Sequence, residues 1–300
     1  MKTMFIVNPI SGKGRRRKPQ KTIQKIAEVY DRAGADYEIR LWDRPDRIDE
    51  LIRDAVAGGF EVVVAAGGDG TINEIGHRLV GTGIALGVIP LGSGNGFARH
   101  LGYSRRVRKA LSQLLTAQPV EIDTGDFGGI PFMNNAGIGI DAEVAREFKA
   151  SKTRGLHNYV RLASRAYFTF KSFDVKLVVD GKREYVWDNL MFIDITNGSQ
   201  WGGGAKIAPL STISDGYLEA VVLEKSSILN VPRLLKLLFL GKLYRHPNIK
   251  MVRGKKFEIT RRLAGNAHVD GEAVKLGKRI EALIHEKSMK LLVPRQTELV

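Results

Sequence analysis

The chain has no cysteine among its 300 residues, which rules out a disulfide framework and any thiolate metal site. A thiol-free chain is expected in a reducing compartment, so the expectation is a cytoplasmic protein. No stretch reaches the roughly 18 uncharged apolar residues that a membrane-spanning helix requires. The opening run MKTMFIVNPI is too short an apolar segment for a secretory leader and reads as a first strand. Internal repeats and low-complexity tracts are absent. Carboxylates are scarce, with 32 Asp and Glu against 47 Lys and Arg, a net charge of +15. That field favours nucleic acid, anionic lipid or small anionic substrates as partners. Aromatics make up 8% of the chain and do not interleave with basic residues as they do on single-strand platforms. No nucleic-acid partner is therefore expected, and a basic nucleic-acid-binding protein stands as the non-enzyme alternative.

What is present is an ordinary globular composition, 43% hydrophobic and 26% charged, over a length that accommodates two domains. Met4–Val7, Tyr37–Leu41, Phe60–Ala66 and Ile84–Ile89 read as strands. Pro19–Ala33, Asp46–Val56, Ile72–Leu79 and Arg105–Leu115 read as helices, and the alternation predicts a parallel sheet with helices on its faces. Beyond Val120 the pattern shifts to β-branched alternation and tight turns, with an Asp180-Gly181 hairpin signal. The expected fold is an α/β Rossmann-like domain over 1–125, then a mainly antiparallel β-sandwich over 126–287. Residues 288–300 are expected to return to the first domain. Two basic helical stretches, Ala142–Phe170 and Ser227–Tyr244, interrupt the second.

Three glycine-rich loops leave the carboxyl ends of the predicted strands, where α/β sheets bind ligands. Val62–Asn73, VVVAAGGDGTIN, is the most informative. Its glycines are expected to adopt positive φ and approach a ligand closely, with exposed N–H groups and the Thr71 hydroxyl suited to phosphate. Asp69 would repel phosphate unless it holds a metal or a substrate hydroxyl. Asn8–Gly14, NPISGKG, carries a serine, glycines and a lysine but not the P-loop spacing. Leu91–Arg99, LGSGNGFAR, opens a helix whose N-terminus adds partial positive charge.

In this order and setting, NPISGKG, GGDGTINE and PLGSGNGFAR resemble the diacylglycerol kinase catalytic domain family, which includes bacterial diacylglycerol kinase-like lipid kinases and sphingosine kinases. NGSQWGGGAKIAP, SDGYL and VDGE extend the resemblance over nearly the whole chain. The resemblance implies an ATP-dependent lipid kinase of the diacylglycerol type, acting on a membrane lipid and peripherally associated with the inner face of the membrane. It implies that Asn8, Pro9, Ser11, Gly12 and Lys13, the turn Gly67, Gly68, Asp69, Gly70 and Thr71, and Ser93, Gly94 and Asn95 hold ATP. Asn73 and Glu74 would brace that turn. Glu272 is implied as general base and Asp69 as organiser of phosphate and Mg²⁺, although sphingosine kinases give the base role to the aspartate of the turn. A structural Mg²⁺ is implied at Thr212, Asp215 and Tyr217.

One departure stands out. Many bacterial members carry G-T-x-N-D in the third loop, whereas here Gly96 replaces the aspartate and the GSGN form is closer to sphingosine kinases. A sphingoid-base kinase therefore stands as an alternative, and so does an NAD kinase, a family that shares GGDGT and a related two-domain plan but lacks the GSGN-type loop. Arg146, Lys149, Lys152, Arg154, Arg161, Arg165 and Lys171 suit an anionic membrane surface, as do Arg233, Lys236 and Lys242 in the second stretch. The competing expectation is that Leu234, Leu235, Leu238 and Phe239 pack on the β-domain. Oligomeric state is open, a homodimer included.

Overall fold

A computed structural model of the chain describes residues 1–10, 19–44, 46–92, 95–151, 156–201 and 204–295. Two compact units emerge, one of residues 1–122 with 287–299 and one of residues 123–286. In the first unit the elements are β1 (Thr3–Val7), α1 (Pro19–Arg32), β2 (Tyr37–Leu41), α2 (Arg47–Ala57), β3 (Val62–Gly67), α3 (Asp69–Leu79), β4 (Ala85–Pro90), α4 (Gly96–His100) and α5 (Val107–Thr116). Strand order is β2-β1-β3-β4, every pair parallel. The last residues of the chain's final strand continue the sheet beside β4, through Lys290 and Leu291. Every residue of β1, β3 and β4 is buried, which is why they read as unbroken apolar runs rather than alternating ones. Register aligns Val7 with Ala66 and Ala66 with Ile89, so the loops after these strands open at one end of the sheet.

α3 begins at Asp69, three residues before the expected Ile72, so Asp69, Gly70 and Thr71 form its first turn. The expectation of positive φ at the turn glycines is not met. Gly67, Gly68 and Gly70 are absent from the positive-φ residues, and Gly68 is extended at φ −90°. Close approach dictates glycine here instead. A Cβ on Gly67 would lie 2.3 Å from the Thr71 Cβ, and one on Gly92 would lie 2.7 Å from the Gly68 Cα.

The second unit contains β5 (Gln118–Phe127, entering from the first), β6 (Ile130–Phe132), β7 (Asn135–Gly139), α6 (Ile140–Ala150), α7 (Leu156–Thr169), β8 (Phe173–Val179), β9 (Arg183–Thr196) and β10 (Leu218–Glu224). After these come α8 (Val231–Phe239), β11 (Ile249–Gly254), β12 (Lys256–Arg261), β13 (Gly265–Val269), β14 (Glu272–Leu276) and β15 (Arg279–Val293). Its strands pair antiparallel in the order β14-β13-β7-β9-β8-β12-β15, and β10 joins β9 to β11. Alternation along β9 and β10 builds two cores. Ile193, Ile195, Ala220 and Val222 face one, while Phe192, Val221 and Leu223 face the other, which α6, α7 and α8 cover.

β9 runs unbroken over 14 residues, and the expected helical stretch Ala142–Phe170 is two helices. Asp180 and Gly181 both take positive φ in the three-residue turn Asp180–Lys182 that joins β8 to β9. β7 went unpredicted because NAGIG reads as a turn. Its Gly137 and Gly139 are strand residues pressed against β9, where a Cβ would meet the Ile193 and Met191 carbonyls at 2.8 and 2.3 Å.

Candidate functional site

In the first unit, the loop ends meet around the start of α3. The Asn8 side-chain amide donates to the Thr71 hydroxyl at 2.9 Å, and the Leu91 N–H donates to the Gly67 carbonyl at 2.7 Å. Pro9 follows Asn8 at the same strand end. Asn95 takes a left-handed backbone at φ 50° and donates its side-chain amide to the Gly92 carbonyl at 2.8 Å. The backbone N–H groups of Asn95, Gly96 and Phe97, at the beginning of α4, favour the charged form of the Asp69 carboxylate. Burial pushes its pKa above the ordinary carboxylate value against the lowering effect of those N–H groups. Its Oδ1 is buried without a hydrogen-bond partner. A carboxylate with a buried oxygen left open is chemically suited to a cation, a metal-bound water or a hydroxyl.

Asn73 is buried on α3, whereas Glu74 lies on its exposed face and pairs with Arg78 one turn on, at 2.6 Å. Ser11, Gly12, Lys13, Ser93 and Gly94 lie outside the described residues, as do Lys152 and Arg154 of the basic stretch.

In the second unit, Glu272 opens β14 directly opposite Val269, half-buried, after the two-residue turn Asp270-Gly271. Both turn residues have positive φ, at 48° and 81°. Asp270 does more than make a turn. Its carboxylate accepts the N–H groups of Met133, Asn134 and Asn135 at 2.8 to 3.0 Å, pinning the hairpin that carries Glu272.

The loop expected to hold a structural cation places Gly216 at φ 74° between Asp215 and Tyr217, with its N–H donated to Asp123 at 2.7 Å. Thr212 precedes this turn. One carboxylate with neighbouring carbonyls is a donor set that a hard cation accepts. Asp215 here also pairs with Arg253 at 2.7 Å, and that guanidinium lies 4.3 Å from the Tyr217 ring centre. A metal at this loop would share Asp215 with that cation.

Sequence reasoning missed a buried cluster of ionisable residues in the second unit. Asp141, Asp194 and His268 converge from α6, β9 and β13. His268 Nε2 lies 2.9 Å from Asp141 and 3.5 Å from Asp194. Asp194 Oδ2 accepts from Asn135 at 2.8 Å and from the Trp201 indole N–H. Burial raises the Asp194 pKa to about 7, with Asp141 adding to the rise and His268 opposing it. Burial alone would depress His268, but the Asp141 charge and hydrogen bond, with Asp194 and Asp270, carry it to about 9. The donor set is of metal-ligand type, and the two carboxylates raise His268 toward its charged form. Glycine at 137 makes room, since a Cβ there would lie 2.7 Å from both carboxylates. The available signal was a charged residue at an inward position of an apolar strand, Asp194 in MFIDIT and His268 in NAHVD.

A parallel sheet whose glycine-rich loops gather around a carboxylate defines a phosphate-handling α/β unit, here followed by an antiparallel one. The chain belongs to the diacylglycerol kinase family: residues 2–127 match the diacylglycerol kinase catalytic domain, and residues 134–283 match the YegS C-terminal NAD kinase beta sandwich-like domain. It is 31% identical to a diacylglycerol kinase of Mycobacterium tuberculosis H37Rv, covering 98% of this chain and 96% of that protein. A protein of Chromohalobacter salexigens named "Probable lipid kinase YegS-like" is 34% identical, but the match spans 63% of this chain and 62% of that relative. The crystal structure of a diacylglycerol kinase from Bacillus anthracis superimposes with a TM-score of 0.76 at 20% identity, covering 100% of this chain and 98% of that one. An NAD kinase from Archaeoglobus fulgidus in complex with ATP shares the fold at a TM-score of 0.58 and 15% identity, covering 98% and 94%. These place the chain among kinases of the lipid type. Among the described residues, no helix is long and apolar enough to cross a membrane.

Proposed function

We propose that this protein transfers the γ-phosphoryl group of ATP to the hydroxyl of a diacylglycerol-like membrane lipid, giving a phosphatidate-type product and ADP. The observation that carries the reading is the state of Asp69, set beside the N–H groups of the third loop with one oxygen buried and open. Kinship along nearly the full length with a diacylglycerol kinase supplies the acceptor class.

On this reading Asn8, Pro9, Ser11, Gly12 and Lys13, the Gly67–Thr71 turn, and Ser93, Gly94 and Asn95 hold the phosphates, while Asn73 supports the turn. The lipid hydroxyl attacks the γ-phosphorus, the bond to the β-phosphate oxygen breaks, and the hydroxyl proton passes to Glu272. Mg²⁺, when bound, offsets phosphate charge beside Asp69. A second ion at Thr212, Asp215 and Tyr217 would steady that loop. The Gly92–Gly96 loop favours one second reading, a sphingoid-base acceptor, because Gly96 stands where many bacterial members have aspartate.

The test is transfer of label from γ-labelled ATP to a panel of diacylglycerol, sphingosine and NAD. Label is expected in diacylglycerol, and Glu272→Gln is expected to slow transfer by about 10²–10⁴, the range for a lost general base. Label confined to NAD, or an unimpaired Glu272→Gln enzyme, contradicts the proposal.

A further inference from the structure

The α8 segment answers a question that the sequence leaves open, because its apolar residues divide between two faces. Leu238 is buried, and Leu234 packs, half-buried, against the core that contains Met191 and Val221. Leu243, just beyond the helix, is buried as well. Those residues account for the attachment of the segment to the second unit.

The outward stripe is different. Pro232, Arg233, Lys236, Phe239 and Leu240 recur at helical spacing and are all exposed. Leu229 extends the stripe by one turn and is 84% exposed, while Leu240 is 56% exposed. An outward helix face in water ordinarily carries mixed charges. This one carries large apolar side chains and cations only. No Asp or Glu occurs between Glu224 and Glu258, whereas Lys225, Arg233, Lys236, Lys242 and Arg245 do. The exposure of Leu229 is also built into a defined turn. Its N–H donates to the Ser227 hydroxyl at 3.3 Å, the Asn230 N–H donates to the Ser227 carbonyl at 2.9 Å, and Tyr167 holds the Ser226 carbonyl at 2.9 Å.

We propose that this stripe is a docking surface for an anionic lipid bilayer, with Leu229, Phe239 and Leu240 entering the headgroup–acyl boundary and Arg233 and Lys236 contacting phosphates. Apolar insertion flanked by cations that reach back to headgroups is the chemistry of interfacial helices. A protein partner of matching shape would need carboxylates against Arg233 and Lys236 and an apolar socket for Leu229. A bilayer offers both properties everywhere on its surface. The proposal deepens the lipid-kinase reading and rests on it for the identity of the partner, since an acceptor held in a membrane has to be reached there.

The experiment is cosedimentation of the full chain with vesicles of phosphatidylcholine alone and of phosphatidylcholine mixed with phosphatidylglycerol. Binding is expected to the mixed vesicles only, with release at about 1 M salt, where the screening length falls to about 3 Å. The Arg233→Gln/Lys236→Gln variant should weaken binding by about fivefold per charge. The Leu229→Glu/Leu240→Glu variant should weaken it by tenfold or more per leucine. Both variants should melt as the wild type does, because the substituted side chains are exposed. Equal binding by these variants and the wild type, or no binding of wild type to mixed vesicles at low salt, overturns the proposal.

Phosphorylation of a short-chain diacylglycerol dispersed in detergent separates the two readings. Unchanged rates in the variants alongside lost vesicle binding support docking through α8. Variant-sensitive vesicle binding with no phosphorylation of any lipid by wild type leaves docking supported and refutes the kinase reading instead.

Discussion

Asp69 in the first unit, half-buried, and Asp194 in the second, fully buried, are carboxylates held above their ordinary pKa by burial, yet their surroundings differ. Asp69 leans on backbone N–H groups of a glycine-rich loop and keeps one oxygen open. Asp194 also has one oxygen, Oδ1, without a hydrogen bond, but it is surrounded by side chains from distant segments, Asn135, Trp201 and, 3.5 Å from that oxygen, His268. The first stands where the proposed function puts phosphate. The second is enclosed by its own unit, with His268 raised toward its charged form beside it.

The most disruptive way to sharpen this contrast is Asp194→Ala. It strands the Asn135 and Trp201 donors and removes one of the two carboxylates facing His268. A loss of about 3–5 kcal/mol is expected, as for breaking a buried charged pair, and denaturant unfolding measures it. A loss below about 1 kcal/mol, the range of surface ion pairs, would mean that the group does not hold the unit together.

Next in size is Gly92→Ala, whose new Cβ would meet the Gly68 backbone at 2.7 Å. Forcing the two loops apart should cost about 1–3 kcal/mol, as overpacking does, and raise the KM for ATP. An unchanged KM would mean that the loop contact is incidental to nucleotide binding.

The smallest effect is a slope with pH. The folded His268 pKa of about 9 exceeds its ordinary 6.5, so the folded state holds the extra proton between those values. Its stabilising contribution is complete below pH 6.5 and disappears as pH rises through about 9. Asp194, raised to about 7, acts in the same direction as it ionises. Melting temperature should therefore fall between pH 6.5 and 9, and His268→Gln should flatten that slope. A wild-type melting temperature that rises over this range would contradict the assignment.

The two regions also differed in how far the sequence revealed them. β1, β3 and β4 are buried on both faces and came out as apolar runs close to their true bounds, and GGDGT with its neighbouring loops was visible as local chemistry. What misled there was the reason for glycine, contact between Gly67 and Thr71 and between Gly68 and Gly92, which no linear spacing displays. In the second unit, glycines inside β7 masqueraded as a turn. Asp141, Asp194 and His268 stand 53 and 74 positions apart along the chain, so only the pairing of β7 with β9 and β13 gathers them. Asp270 was legible as a turn former but not as the anchor of residues 133–135.

The most direct measurement of the central claim is transfer of the ATP γ-phosphoryl group to diacylglycerol in mixed micelles by the wild type and by Asp69→Asn, with thermal melting of both. The account predicts that the wild type labels the lipid. The variant should melt close to the wild type yet lose at least about a hundredfold in rate, the scale of a lost transition-state contact. An Asp69→Asn enzyme that transfers phosphate at the wild-type rate, or a wild type that labels no lipid, would contradict it.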